Sequence, residues 1–490
     1  MAHDARRPDG QHARLDQHAR LDQHESLDQH APADERPSLG GQPRQQPYIP
    51  QVSRRRAAGA RLSHLGHSTS FAAAVMLAAA LVSLVVANTP AHGAFAAFWH
   101  AEVTIGLGAA TVGISLGHVV NDVLMAVFFL LVGLEIKYEL VAGELRDPRA
   151  AALPVIAALG GALVPMGIYL AINAGLPTAG GWGVPMATDI AFALGVLALL
   201  GSRVPPGLKV FLSTLAVADD IIAIVVIALF YGHAPDLRML VLAAVVVVAL
   251  VALSRAHVYA LAPYLALGCV LWVLVYLSGV HATIAGVLLA LTIPCRTHVD
   301  APSFADWARD RVEHARGHLD PRAAIVGQQE FLDAVHELEG VAHHVSPPAT
   351  RLARALHPWV YFAILPLFAL ANADVSLAGL DVSDAATVAA FAGIAAGLVV
   401  GKPVGVMLTS LVLVKAGVAE LPRGVRWAHM LGAGLLAGVG FTMAIFVANL
   451  AYVDAAYVTA AKAGILGASL VAGVVGYLTL RRVCGGPGGR

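Results

Sequence analysis

Asp219 and Asp220 stand side by side in LSTLAVADDIIAIVVIALFYG (212–232), a stretch with no other ionisable group before its Tyr231. One Asp near the middle of a bilayer helix costs about 2.5–3.5 kcal/mol, so an adjacent pair costs about 5–7 kcal/mol if simply additive. A cost of that size implies a use. Successive helical residues point about 100° apart, so both carboxylates can face one cavity but not one point. The bland alternative is a structural ion pair or a buried, protonated acid. Asp189, in GVPMATDIAFALG, follows the Gly/Pro-rich run TAGGWGVPMAT (178–188). That run predicts an unwound first half and a short helix beginning near Thr188-Asp189. An Asp there would cap exposed amides at the positive end of the half-helix; capping alone is the alternative to ion handling. Lys402 lies inside AAGLVVGKPVGVMLTS (395–410), where an ammonium needs an anion or must lose its proton, and Asp219 or Asp220 is the expected partner.

A small cation leaves water only where hard oxygens and negative charge replace its hydration shell, which carboxylates and unwound backbone carbonyls supply. Carboxylates also bind protons, and crowding or burial moves their titration toward neutral pH. Cation and proton then compete for one site. If access switches only when the site is loaded, competition becomes exchange. No phosphate loop, nucleotide motif or cofactor box appears, so no cofactor, no enzyme and no nucleic-acid partner are expected.

The elements that must hold these groups can be read from composition. The 490 residues are 58% hydrophobic and 13% charged, against about 25% charged in a soluble domain. Apolar blocks of about twenty residues match a bilayer core crossed as helix. The expected fold is an all-α polytopic membrane protein. Twelve spans are read at 69–87, 119–140, 151–173, 185–201, 207–231, 237–254, 259–278, 280–294, 357–375, 387–414, 428–451 and 456–480. Gly438 and Gly440 interrupt span 11 as the Gly/Pro run interrupts span 4. Interrupted segments at matching places predict inverted repeats (spans 3–5 and 10–12) with two crossing discontinuous helices.

Basic residues sort by loop. Arg54–Arg56 precede span 1; Lys137, Arg146, Arg149, Arg203, Lys209, Arg255, Lys415, Arg423, Arg426, Arg481 and Arg482 fall in or beside loops of the same side, with Arg238 the exception. Both termini are therefore expected to be cytoplasmic. RRRAAGAR (54–61) before the first apolar run also imitates a signal peptide; a retained first span is preferred. Residues 1–67 carry the repeats QHARLD, QHARLD, QHESLD and QHAPAD and read as a disordered cytoplasmic tail. The membrane domain is 68–482, with a 296–356 cytoplasmic loop and a Gly-rich tail at 483–490. The outside loop 88–118 holds two runs of period two, AEVTIGL and TVGISLG, which suggest a hairpin that pairs with a partner subunit. Cys269, Cys295 and Cys484 have no metal or disulfide spacing.

The segments NDVLMAVFFLLVGLEIKYEL, MATDIAFALG, LAVADDIIAI, SGVHATIAGV, LHPWVYFAILPLFALANA, GKPVGV and GVGFTMAIF occur in this order. They resemble the signature segments of NhaA-type sodium/proton antiporters across about 69–480. That family is itself a type case of inverted-repeat transporters, so the resemblance implies the same architecture. The resemblance implies an electrogenic, pH-regulated antiporter that exports Na+ (or Li+) against protons by alternating access, as a homodimer in the bacterial inner membrane. Asp219 and Asp220 resemble the pair that carries the ion and protons, and Lys402 the lysine paired with the first of them. Thr188 and Asp189 resemble the residues at the helix crossing. Glu135 and Glu139 resemble a pH-sensing entrance at the cytoplasmic end of span 2; Asp122, near its outer end, and His281 match further family residues, His281 one linked to pH response. Tyr138 stands where some members carry Arg, and Ala353-Arg354 where some carry Glu-His. Two other classes remain: a sodium-coupled symporter of an organic solute, which needs a roomy amphipathic cavity, and a scaffold or sensor that works through its tail.

Overall fold

Hydropathy and helix caps set most of the boundaries. The computed structural model describes residues 69–107, 110–232, 235–296, 301–320, 322–376 and 383–485, all within the unit Arg61–Arg490. The 1–67 repeats and the last residues of the Gly-rich tail lie outside the described residues.

Helix α1 (Thr69–Ala87) leads to α2 (His92–His100) and a two-stranded antiparallel ribbon. Its strands are β1 (Glu102–Leu107) and β2 (Ala110–Ser115), in register from Glu102 opposite Ser115 to Leu107 opposite Ala110. Helix α3 (Leu116–Val141) contains a π-helical stretch, Val119–Leu124. After α4 (Pro148–Asn173), a 3-10 stretch (Pro177–Met186) and α5 (Ile190–Ala198) form one bent pair. Then come α6 (Pro206–Phe230), α7 (Leu237–Arg255), α8 (Leu261–Leu277) and α9 (Ile284–Thr292). Two polar helices, α10 (Ala301–Gly317) and α11 (Gln329–Val345), occupy much of the 296–356 segment and are joined by an Arg311–Glu337 ion pair. Helix α12 (Pro348–Asn372) and α13 (Ala385–Lys415) carry π-helical stretches at Val360–Ile364 and Gly397–Gly401. The second bent pair is α14 (Trp427–Ala437) with α15 (Phe441–Ala451), and α16 (Ala455–Cys484) ends the fold.

Local chemistry explains the starts. Asp147, Asp236, Asp384 and Asp454 cap α4, α7, α13 and α16 by accepting from first-turn amides, which meets donors that lipid cannot. The Thr387 hydroxyl and amide hold the Asp384 carboxyl below its usual range. Helix α12 begins nine residues before the span read at 357, because PATRLARALHPW is too polar for a hydropathy reading yet continues the same helix.

Among the described residues, eight helices are long and apolar enough to cross a membrane, or ten with each bent pair taken as one span. The chain is therefore a nearly all-helical, multi-pass membrane protein. The expected spans 259–278 and 280–294 correspond to α8 and α9, of 17 and 9 residues, short of the roughly 20 a helix needs to cross alone.

Helices α4 and α13 touch backbone to backbone. A Cβ on Gly405 would lie 2.2 Å from the Gly160 carbonyl oxygen, and one on Gly160 would lie 2.7 Å from that of Gly405. Small residues allow such approach where lipid gives no hydrophobic drive to helix pairing. The contact seats Lys402, one turn earlier on α13, in the interior.

Candidate functional site

The two bent pairs turn by 41° and 45°, and their breaks meet. Asp189 is extended at its backbone and opens α5. Its amide donates to Val439 O at 2.7 Å, in the other break. Its Oδ1 accepts from the Phe192 amide at 2.9 Å, and its Oδ2 accepts from the Thr442 amide at 3.1 Å and from the Thr442 hydroxyl. One carboxylate therefore caps the N-termini of both α5 and α15, meeting two positive helix ends with one negative charge.

The opposite, negative ends face donors. Thr188 Oγ1 lies 2.8 Å from Ala437 O, at the end of α14, and Lys402 Nζ donates to Met186 O, at the end of the 3-10 stretch. The same two groups hold Asp219. Lys402 Nζ is 2.6 Å from Asp219 Oδ2, and Thr188 Oγ1 donates to that oxygen at 2.6 Å. Both charged side chains are fully buried. Asp219 Oδ1 is buried with no hydrogen-bond partner, a free acceptor beside a compensated charge.

Asp220 faces elsewhere, as the angular step between neighbours on α6 requires. It lines a cavity of about 20 Å³ with Glu135, Asp189, Tyr361, Leu365 and Thr442. This cavity shares Glu135, Ile190 and Tyr361 with a cavity of about 500 Å³ that also contains Glu139 and His357. The latter shares Glu139, Leu194 and Ser213 with a mouth of about 1070 Å³ edged by Glu144, Arg146, Asp147 and Lys209. The three form a funnel that narrows from one end of the molecule to Asp220.

Asp219, Asp220, Asp189, Thr188 and Lys402 thus converge in one place, while Glu135 and Glu139 lie along the funnel. Glu135 borders the innermost cavity and Glu139 only the wider ones. Asp122 and His281 are at the opposite end, where His281 Nε2 lies 2.6 Å from Tyr231 O. Sequence reasoning missed Thr442, the second partner of Asp189, and Tyr361, which walls the Asp220 cavity. Thr442 had a signal: a polar residue two positions after Gly440 of the Gly438/Gly440 break. Tyr361 had only its place in the apolar segment LHPWVYFAILPLFALANA, which carries the family resemblance without singling it out. Among the described residues no cluster of three or more His, Cys, Asp or Glu is placed to hold a metal ion. Chemically, the site offers carboxylates and one ammonium in a space that admits a proton or a small ion.

Comparison with known proteins gives a family match over residues 63–480, to the model described as Na+/H+ antiporter 1. Among curated relatives, the chain is 47% identical over 407 residues to the Na(+)/H(+) antiporter NhaA of Oleidesulfovibrio alaskensis, covering 83% of this chain and 90% of that protein. It is 44% identical over 418 residues to the NhaA of Wolinella succinogenes (85% and 92%) and 43% identical over 420 residues to that of Helicobacter pylori (84% and 93%).

Proposed function

The chain belongs to the NhaA-type Na+/H+ antiporter family, and on that premise we propose that it exchanges Na+ (or Li+) for protons electrogenically at the Asp219/Asp220 site. The observation that carries this reading is the buried Asp219–Lys402 pair beside Asp220 at the foot of a one-sided funnel. With the ion absent, Lys402 neutralises Asp219 and a proton neutralises Asp220. A sodium ion arriving through the funnel takes carboxylate oxygens from both. Asp220 then releases its proton. Displaced from Asp219, Lys402 releases a second, because a lone ammonium is not sustained in a dry interior. One positive charge replaces two, so the cycle moves net charge.

The remaining parts fit that cycle. Asp189 and Thr188 hold the two breaks at the midplane, and the bent pairs form the crossing of two inverted repeats in a twelve-span fold completed by α8 and α9. The basic loops support an orientation in a bacterial inner membrane with both termini and the funnel mouth on the cytoplasmic side. Glu135 and Glu139, along the funnel, and Asp122 with His281, at the far end, tune the response to pH. The β1–β2 ribbon has no further strand beside it among the described residues, and its open edges suit pairing with a second copy in a lipid-embedded homodimer. An organic solute is disfavoured: about 20 Å³ at Asp220 holds roughly one water.

The test uses purified protein in liposomes. Under an inward proton gradient the wild type expels Na+, and Asp219→Asn or Asp220→Asn abolishes the movement. Calorimetry should show Na+ binding weakening as pH falls, with protons released on binding. Normal exchange in both variants, or Na+ affinity independent of pH, rules the site out.

A further inference from the structure

Three of the elements that wall the Asp220 cavity run on to the closed end of the molecule, and each carries an asparagine at the same depth. Helix α3 lines the cavity with Phe128, α12 with Leu365 and α15 with Thr442. Seven residues further toward the closed end on each element stand Asn121, Asn372 and Asn449. Seven helical residues are about 10 Å. The amides form a chain across the three elements: Asn372 Nδ2 donates to Asn121 Oδ1 at 2.7 Å, and Asn449 Nδ2 donates to Asn372 Oδ1 at 2.7 Å.

Between cavity and amides lies a dry layer. Phe129 and Phe446 have ring centroids 5.4 Å apart, and Phe368 and Phe446 6.3 Å. Phe129, Phe368, Phe446 and Met125 are all buried. Beyond the amides, Lys462 Nζ sits 2.9 Å from Asp374 Oδ1, two residues past Asn372. The order from site to surface is therefore cavity, aromatic layer, amide chain, ion pair.

We propose that Asn121, Asn372 and Asn449 are the latch of the closed gate: their hydrogen bonds hold α3, α12 and α15 together over the phenylalanine layer, and the same amides line the exit once those elements part. This rests on the exchange reading above, which requires the site to open at this end. Asparagine suits both states. It bonds neatly to its like without charge when the gate is shut, and when the gate is open its carbonyl oxygen offers a passing cation a hard ligand while its NH2 group bonds to water. An apolar latch would leave the opened passage dry, and a carboxylate would trap the ion.

Side-specific labelling tests this on the full chain carrying Cys269→Ser, Cys295→Ser, Cys484→Ser and Met443→Cys, whose single thiol lies in the cavity wall. An impermeant maleimide added at the closed face should label it slowly. Adding Asn372→Ala, which removes both bonds of the chain, should raise that rate about tenfold, equivalent to ~1.4 kcal/mol of lost closure, and leave labelling from the funnel side unchanged. Asn449→Ser, a smaller change that breaks one bond, should give a lesser rise in the same direction and serves if Asn372→Ala does not insert. Unchanged closed-face labelling in the variants overturns the latch, as does an equal rise from both faces. Absence of Na+-dependent proton movement by the wild type would instead strike the exchange reading, since the labelling rates are read without transport.

Discussion

Neither charge of the Lys402–Asp219 pair can be removed alone without consequence, because both side chains are fully buried. Truncating one partner of a buried pair costs about 3–5 kcal/mol when the other stays charged. In Lys402→Ala, Asp219 escapes that penalty only by taking up a proton. The loss of stability should therefore be small in acid and grow toward alkaline pH; melting temperatures of the detergent-solubilised variant and wild type across pH 5–9, a window of roughly two units either side of neutrality, measure it. Asp189 gives a second expectation at this scale. Thr442→Val removes the hydroxyl that donates to Asp189 Oδ2 and should cost about 1–3 kcal/mol, as for other bonds to buried charged groups. Thr442→Ser keeps the hydroxyl and should restore most of it. Equal melting points for Thr442→Val and wild type would mean that the α15 amide alone suffices as partner.

At the scale of elements, the three π-helical stretches among the described residues each sit beside a group used above. Val119–Leu124 presents Asn121 and Asp122, Val360–Ile364 presents Tyr361, and Gly397–Gly401 precedes Lys402. A π-turn adds a residue to the helix and rotates the turns beyond it, which re-aims side chains toward the interior and is common at functional sites. Position along a helix is set equally by packing. At the α4–α13 crossing, Gly405→Val must push apart two backbones whose nearest added carbon would lie 2.2 Å from a carbonyl oxygen. Such overpacking costs about 1–3 kcal/mol and occasionally more, and it should displace Lys402. Gly467→Ala on α16, where an added carbon meets nothing within 4 Å, should be neutral or slightly stabilising through helix propensity. Thermal melting of the two variants in one detergent compares them directly.

On the scale of the whole molecule, the funnel opens at one end while an aromatic and amide layer closes the other, the asymmetry that alternating access needs. The site lies entirely within 69–485, so deleting residues 1–67 should leave Na+/H+ exchange in liposomes within about twofold of the full chain; loss of exchange would favour the tail-dependent scaffold. The sequence by itself determined that the chain spans a membrane, since hydropathy over twenty residues is a local property. It also singled out the residues of the candidate site, because Asp219, Asp220, Asp189 and Lys402 are charges that an apolar stretch tolerates only for a reason. Tertiary structure alone decided that Asp189 caps two helices and that three distant asparagines meet, and helix packing is what brings Lys402 to Asp219, the partner that the resemblance implied. These depend on which residues come together across 77–253 positions of chain, and contact over such separations is fixed by how helices pack, which no short window of sequence encodes.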